Sequence, residues 1–239
     1  MIKRETGFYC FSPPVMVATI IVESLLLIYS LVRFKTGILV RLVVITLAAL
    51  AIFQLSEYRV CTGFGLRAED WSRLGYGAIT LLPPLGLHIL HVIAKKPRRR
   101  LVTFAYTTMF MFIWFFLAYS FAFTGYECTG NYVIFQIGTE PALVYGVYYY
   151  GWLLAAIGLA AHWVSHLSDK TAAELHRQKA IKGMIAGYAV FLVPTALVYS
   201  MNPSYRRGIP SIMCGFAVLF ALILVLYILP HAKKSAPAL

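Results

Sequence analysis

The chain alternates between long apolar runs and short polar segments. Seven of the runs are long enough to cross a bilayer, because about 20 apolar residues of α-helix span the hydrocarbon core. They lie approximately at 13–33, 38–58, 72–93, 101–124, 141–163, 181–201 and 209–229. The strands of a β-barrel would instead be about ten residues long and would alternate in polarity. The pattern therefore predicts an all-α fold: a polytopic membrane bundle of seven transmembrane helices, with residues 1–239 forming a single domain.

The composition supports this assignment. Hydrophobic residues make up 60% of the chain and charged residues only 13%, whereas soluble domains carry roughly 25% charged residues. A formal net charge of +12 could indicate nucleic-acid binding, but the charges fall in short clusters between the apolar runs. We therefore expect the lipid bilayer as the surroundings of the chain and no nucleic-acid partner.

Lysines and arginines are unevenly divided between the two sets of loops. One set and its flanking ends hold fourteen of them, and the opposite set holds seven, which include Lys3, Arg4, Arg206 and Arg207. Because cytoplasmic loops carry the excess of positive charge, the N-terminus is predicted to lie outside and the C-terminus in the cytoplasm. The expected location is the cytoplasmic (inner) membrane of a bacterium.

The most basic cytoplasmic loop connects the third and fourth apolar runs. It carries Lys95, Lys96, Arg98, Arg99 and Arg100. Such a loop could dock a partner protein or the headgroups of anionic lipids.

Glu23 lies ten residues into the first apolar run, near the bilayer midplane. An acidic side chain at that depth costs on the order of 2.5–3.5 kcal/mol on insertion scales. We expect it to face the bundle interior, either protonated or paired. It is a candidate ligand, ion or proton site, or else a carboxyl group that only fixes helix packing. His88 is its expected partner if the first and third helices touch.

Histidines occur in two pairs near the cytoplasmic ends of the third and fifth runs. His88 and His91 are three residues apart, and His162 and His166 are four apart, so each pair shares one helix face. Four imidazoles could hold zinc. The same pattern also fits interfacial histidines that reach toward lipid headgroups.

Polar residues cluster at the outer ends of the second and third runs. They could line a vestibule for an extracellular ligand, or they could form a solvated rim. The members are Gln54, Glu57, Arg59, Glu69, Asp70 and Arg73.

Three of the four cysteines fall on the predicted outer side. An oxidising compartment allows one disulfide among Cys10, Cys61 and Cys128. The expected pair is Cys61–Cys128, and Cys10 could replace either member. Cys214 lies within the last apolar run.

Prolines interrupt two of the runs. Pro83 and Pro84 lie inside the third run and Pro194 inside the sixth. Each is expected to kink or break its helix and to free backbone carbonyl groups within the membrane. The result is either simple helix bending or an irregular segment that forms a hinge or lines a cavity.

Three stretches together resemble a known family. They comprise 26–33 with Arg41 and 48–51; Trp71, Arg73, Leu74 and Gly75 with 81–84; and Arg177, Gln178, Ile209, Pro210 and Ser211. This combination resembles the N-terminal seven-helix sensor region of bacterial histidine kinases. The resemblance implies a bundle with its N-terminus outside and the sensing of a small ligand. It supplies no catalytic residues.

We therefore expect a non-enzymatic, seven-helix sensor or receptor-like module that acts through a membrane or cytoplasmic protein partner and needs no cofactor. One alternative is a metal-dependent membrane hydrolase of the ceramidase or adiponectin-receptor type, with zinc held by the four histidines. Those enzymes carry a His-x-x-x-His motif in the last helix, whereas His162 and His166 lie on the fifth. The second alternative is a transporter or an accessory subunit of a membrane complex.

Overall fold

A computed structural model describes residues 13–63, 65–96, 98–119, 122–128, 133–167, 171–201 and 209–235. Parts of the predicted orientation and disulfide pattern rest on residues outside these ranges. They are Lys3, Arg4, Cys10, Arg206 and Arg207. The elements in chain order are α1 (Pro13–Arg33), α2 (Ile38–Thr62), α3 (Ala68–Thr80), α4 (Leu82–Ala94), α5 (Arg99–Ala118), β1 (Phe123–Cys128), β2 (Val133–Ile137), α6 (Thr139–Ser165), α7 (Ala172–Met201), α8 (Ile209–Leu222), a π-helical segment (Ile223–Ile228) and α9 (Leu229–Lys234).

Within the described residues, seven helical stretches are long and apolar enough to cross a membrane. The third combines α3 with α4, and the seventh runs from within α8 through the π-helical segment into α9. The expectation of a helical bundle with seven spans is thus confirmed in its helical content and in the number of candidate spans. The stretches are Pro14–Arg33, Ile38–Thr62, Ala68–Ala94, Arg99–Ala118, Thr139–Ser165, Ala172–Leu197 and Gly215–Lys234.

A β-hairpin is an element that the predicted helical bundle did not include. The predicted fourth span extends to residue 124, but α5 ends at Ala118, and β1 begins at Phe123. β1 pairs antiparallel with β2, with Tyr126 opposite Phe135. The two strands are rich in Phe, Tyr, Val and Ile, which favour strands, and their hydrophobicity makes the start of β1 look like the end of a span.

α7 begins well before the predicted sixth span. Residues from Ala172 onward are already helical, although the first part of the helix is charged. Thr171 Oγ1 accepts a hydrogen bond from the backbone N–H of Glu174 and donates one to the Glu174 carboxylate, at 3.2 and 3.0 Å. This side-chain cap at the helix start explains why the helix extends beyond the apolar run.

The break between α3 and α4 follows from Pro83 and Pro84. A proline has no N–H, so the carbonyl group of Thr80 loses its usual donor four residues later. The Tyr148 hydroxyl of α6 donates to that carbonyl at 2.7 Å, and the Thr80 and Tyr145 hydroxyls lie 3.1 Å apart. The predicted disruption of the third span is thus confirmed, and α6 satisfies a group that the prolines release.

α7 approaches its neighbours closely at two glycines. A Cβ at Gly183 would meet the side chains of Tyr227 and Ile228, and one at Gly187 would meet Phe220. Small residues four positions apart are a common device for close helix contact in membranes. They allow the last span, including its π-helical segment, to pack directly on α7.

The two ends of the bundle are held in different ways. We call one the disulfide end, because Cys61 at the end of α2 is bonded to Cys128 of the hairpin, with 5.8 Å between their Cα atoms. The predicted Cys61–Cys128 disulfide is thus present. At the opposite end, Lys95 Nζ donates to the Ser235 carbonyl and Lys233 Nζ to the Lys35 carbonyl, at 3.1 and 2.8 Å. We call this the basic end.

Aromatic packing joins the hairpin to the helices beneath it. The Tyr76 ring of α3 lies 5.0 to 5.6 Å, between ring centres, from Phe116, Phe123, Phe135 and Tyr145. Such tilted and edge-on contacts add to the burial of the rings. The hairpin is therefore fixed to the bundle both covalently and by its aromatic underside.

Candidate functional site

Glu23 lies on the buried face of α1. Met16, Thr19, Glu23, Leu26 and Ser30 follow one another at helical spacing and are all buried, and α1 packs mainly on α2 and α8. The Thr19 and Ser30 hydroxyls donate to backbone carbonyls of their own helix, at 2.8 and 2.7 Å. The predicted inward orientation of Glu23 is therefore correct.

Glu23 differs from its neighbours on this face because its polar atoms are not satisfied. Its exposed fraction is 0%, and neither carboxylate oxygen has a hydrogen-bond partner among the described residues. Leaving a buried polar group unpaired costs about 1–3 kcal/mol, and more for a charged one. This carboxyl group is thus held in the bundle at a cost to stability.

A second carboxyl group lies within electrostatic range. Glu57 of α2 is 1% exposed, and its charge acts on Glu23. Gln54, one turn earlier on α2, is 2% exposed, and its Nε2 has no hydrogen-bond partner among the described residues. Two neighbouring carboxyl groups repel each other when both are ionised. The arrangement is therefore suited chemically to bind a proton or another small cation.

The polar residues predicted to cluster at the outer ends of the second and third spans therefore have different surroundings. Gln54 and Glu57 lie in the interior rather than in a solvated rim. Arg73 contacts Glu69 at 2.7 Å and donates to the carbonyl groups of Phe116 and Leu117, at 3.3 and 3.0 Å. It therefore satisfies backbone groups at the end of α5, where no further turn follows.

The other members of that polar group are more exposed. Asp70 forms an exposed ion pair with Arg67 at 3.0 Å, an arrangement that contributes little to stability. The Arg59 guanidinium lies 6.0 Å from the centre of the Tyr58 ring.

The expected pair of Glu23 with His88 does not form. His88 Nδ1 lies 3.1 Å from the Tyr106 hydroxyl of α5, and neither oxygen of Glu23 has a hydrogen-bond partner in the described part of the chain. The physical reason is the helix arrangement: α1 packs on α2 and α8, whereas His88 faces α5.

The other histidines take up separate local contacts. His91 Nδ1 lies 2.8 Å from the Leu87 carbonyl, and its ring meets the Trp163 ring edge-on at 5.0 Å. The rings of His162 and His166 are 4.4 Å apart, and His166 Nδ1 lies 2.8 Å from the His162 carbonyl. Within the described residues, no group of three or more His, Cys, Asp or Glu side chains is placed to hold a metal ion. The four candidate zinc ligands are therefore not assembled into one site.

A small cavity lies deeper in the bundle, where α2, α4, α6, α7 and α8 meet. Its volume is about 30 Å³, which is sufficient for a water molecule. Tyr188 borders it and is fully buried, and its hydroxyl has no hydrogen-bond partner in the described part of the protein. Sequence reasoning missed this residue, because one tyrosine in an aromatic-rich membrane chain carries no distinguishing signal.

The position of Glu57 near Glu23 was also missed, although the sequence carried a signal that Glu57 is buried. It lies within the predicted second span, 38–58, and an acidic residue inside a span is a candidate for burial.

Compared with known proteins, the chain matches no family model, no curated protein and no solved structure. The resemblance to the sensor region of histidine kinases therefore stays a prediction that rests on the sequence motifs.

Proposed function

We propose that this protein is a non-enzymatic, seven-helix membrane sensor or receptor-like module that acts through a partner protein, with its ligand or proton site at Glu23. The observation that carries the proposal is the fully buried carboxyl group of Glu23, unsatisfied among the described residues and within electrostatic range of Glu57. An ionisable group inside a membrane bundle is a candidate functional site by default, because it is expensive to keep there.

The packing around Glu23 supports a role in signalling rather than in chemistry. α1 and α2 form an extensive contact, and α2 also packs on α3, α4 and α8. A change of charge between Glu23 and Glu57 would therefore act on a helix, α2, that contacts α1, α3, α4 and α8. Binding at such a site can shift an equilibrium between two packings only if the ligand prefers one of them.

The two ends of the bundle support the orientation included in the proposal. A disulfide is stable in an oxidising compartment, so the disulfide end is assigned to the outside of a bacterial inner membrane. The basic end is assigned to the cytoplasm, where positive charge accumulates. In this orientation α9 and the loops that it contacts face a cytoplasmic partner.

Cross-linking in native membranes, followed by mild purification and quantitative mass spectrometry, tests the proposal. We expect a partner in fixed ratio to the wild-type chain, and we expect Glu23→Gln to change that ratio. Ser30→Ala is the matched control, since Ser30 lies on the same buried face but has a satisfied hydroxyl. A wild-type chain without a partner, or a Glu23→Gln profile identical to wild type, would contradict the proposal. A stoichiometric zinc content would favour the hydrolase instead.

A further inference from the structure

In the basic loop between α4 and α5, the lysines contact distant parts of the described chain, whereas the arginines make no such contact there. Lys95 Nζ donates to the Ser235 carbonyl at 3.1 Å, and Lys96 Nζ lies 5.7 Å from the centre of the Trp163 ring. The lysines therefore hold the fold together. Arg98, Arg99 and Arg100 are all exposed, and no hydrogen bond or ion pair within the described residues engages their guanidinium groups. These three arginines are available to a ligand.

Within the part of the chain that the structure describes, the surroundings of the three arginines provide no compensating anion. They line an open concavity of about 490 Å³ together with Leu101. Glu174 is the only carboxylate that the described residues place at the basic end, and it interacts with Thr171 at the start of α7. Guanidinium groups bind phosphate oxygens well because their planar donors fit two oxygens at once.

A stripe of exposed residues runs from the arginines along α5. Arg100, Phe104, Thr107 and Met111 follow at spacings of four, three and four, so they share one face of the helix. Phe104 is 60% exposed and Met111 67%, and Thr107 is also exposed. Eleven residues of helix rise about 16 Å, close to half of the roughly 30 Å hydrocarbon core. The stripe thus matches the length of one leaflet.

We infer that Arg98, Arg99 and Arg100 bind the phosphate of an anionic phospholipid whose acyl chains lie along the Arg100–Met111 stripe. Charge complementarity selects an anionic headgroup, and the adjoining apolar face selects a membrane lipid over free phosphate. Two features border the site: the Trp152 ring lies 5.7 Å from the Phe104 ring, and Trp152 Nε1 donates to Thr108 Oγ1 at 3.1 Å. The inference is independent of the role proposed for Glu23.

Trp152 provides a reporter of the bound lipid once Trp114, which is 68% exposed and would respond to any surrounding lipid, is replaced by phenylalanine in every protein compared. Lipids with brominated acyl chains quench the fluorescence of tryptophans that they contact. We would reconstitute the protein in phosphatidylcholine vesicles and replace part of the lipid by brominated phosphatidylglycerol or by brominated phosphatidylcholine. Wild type should prefer the anionic lipid by about tenfold or more, since basic side chains near a membrane surface attract anionic headgroups.

The variant Arg98→Gln/Arg99→Gln/Arg100→Gln should lose most of this preference. Arg177→Gln/Lys179→Gln/Lys182→Gln is the matched control, because it removes the same formal charge from α7 and should keep the preference. A preference that survives in the first variant, or that both variants lose equally, would overturn the inference. Full displacement of the anionic lipid by inorganic phosphate would also overturn it, because the acyl chains would then contribute nothing.

A second measurement does not depend on the variants. Native mass spectrometry of the wild-type protein, released from membranes that contain both lipids, should show retained phosphatidylglycerol. Retention of the two lipids in proportion to their abundance would contradict the inference.

Discussion

The Cys61–Cys128 disulfide allows a quantitative test of the fold. Replacing both cysteines by serine removes the covalent link between the end of α2 and the hairpin, while Phe123 and Phe135 keep their packing on Tyr76. We expect a folded but less stable protein, because the hairpin is also held by its aromatic underside.

The size of the effect follows from the length of chain that the disulfide closes. The two cysteines are 67 residues apart, and the chain-entropy relation gives about 4 kcal/mol for a loop of that length. Helices that persist in the detergent-unfolded state shorten the effective loop, so this value is an upper bound. For a chain of this size, each kcal/mol corresponds to roughly 2–4 °C. The unfolding temperature should therefore fall by about 5–15 °C.

Thermal unfolding in detergent, with and without a reductant, measures this difference. Reductant should lower the unfolding temperature of the wild type to that of Cys61→Ser/Cys128→Ser and should leave the double variant unchanged. The double variant treated with the same reductant is the control, because any change in its unfolding temperature would come from other thiols. Equal unfolding temperatures for oxidised wild type and the double variant would refute the reasoning, because the hairpin would then be held entirely by packing.

Two further changes test the packing and the orientation. Gly86→Ala places a Cβ against the Tyr188 hydroxyl and should cost about 1–3 kcal/mol of unfolding free energy. Adding Tyr188→Phe should recover part of this loss in chemical denaturation, and an unchanged Gly86→Ala protein would show that the contact is loose. A reporter enzyme fused after Leu239 should be active only on the cytoplasmic side, because the proposed orientation assigns the basic end to the cytoplasm. Activity on the outer side would reverse the proposed orientation.

The helical spans were predictable because one physical requirement determines them. Backbone polar groups in hydrocarbon must be hydrogen-bonded within the protein, and a helix bonds nearly all of its own, so long apolar runs become helices. The hairpin was not predictable from the same rule. The predicted fourth span included only Phe123 and Thr124 of its first strand, and the pairing with Val133–Ile137 is a contact that the apolar pattern does not show. Strand preference depends on such neighbours more than helix preference does.

The sequence predicted the orientation of a single site residue, Glu23, but not which residues lie beside it. The depth of Glu23 in its run correctly implied that it faces the bundle interior. Its neighbour is determined by which helices touch, and a single sequence does not carry that information. His88 was expected beside Glu23, whereas the structure places Glu57 within electrostatic range of it. Glu57 was grouped with the outer polar residues, as part of either a vestibule or a solvated rim, because it stands at the last turn of its apolar run.

We propose that Glu23 is kept in the bundle for its function and not for stability. The thermal stability of Glu23→Leu in detergent tests it most directly. A structural carboxyl group would form hydrogen bonds, and its loss would cost on the order of 1 kcal/mol. Neither oxygen of Glu23 has a partner among the described residues, so an apolar side chain of similar size should be neutral or stabilising.

We therefore predict that Glu23→Leu unfolds at the same temperature as the wild type or at a higher one, with Ser30→Ala as the control on the same face of α1. An unfolding temperature for Glu23→Leu below that of both the wild type and Ser30→Ala would contradict the account, because Glu23 would then be a structural residue.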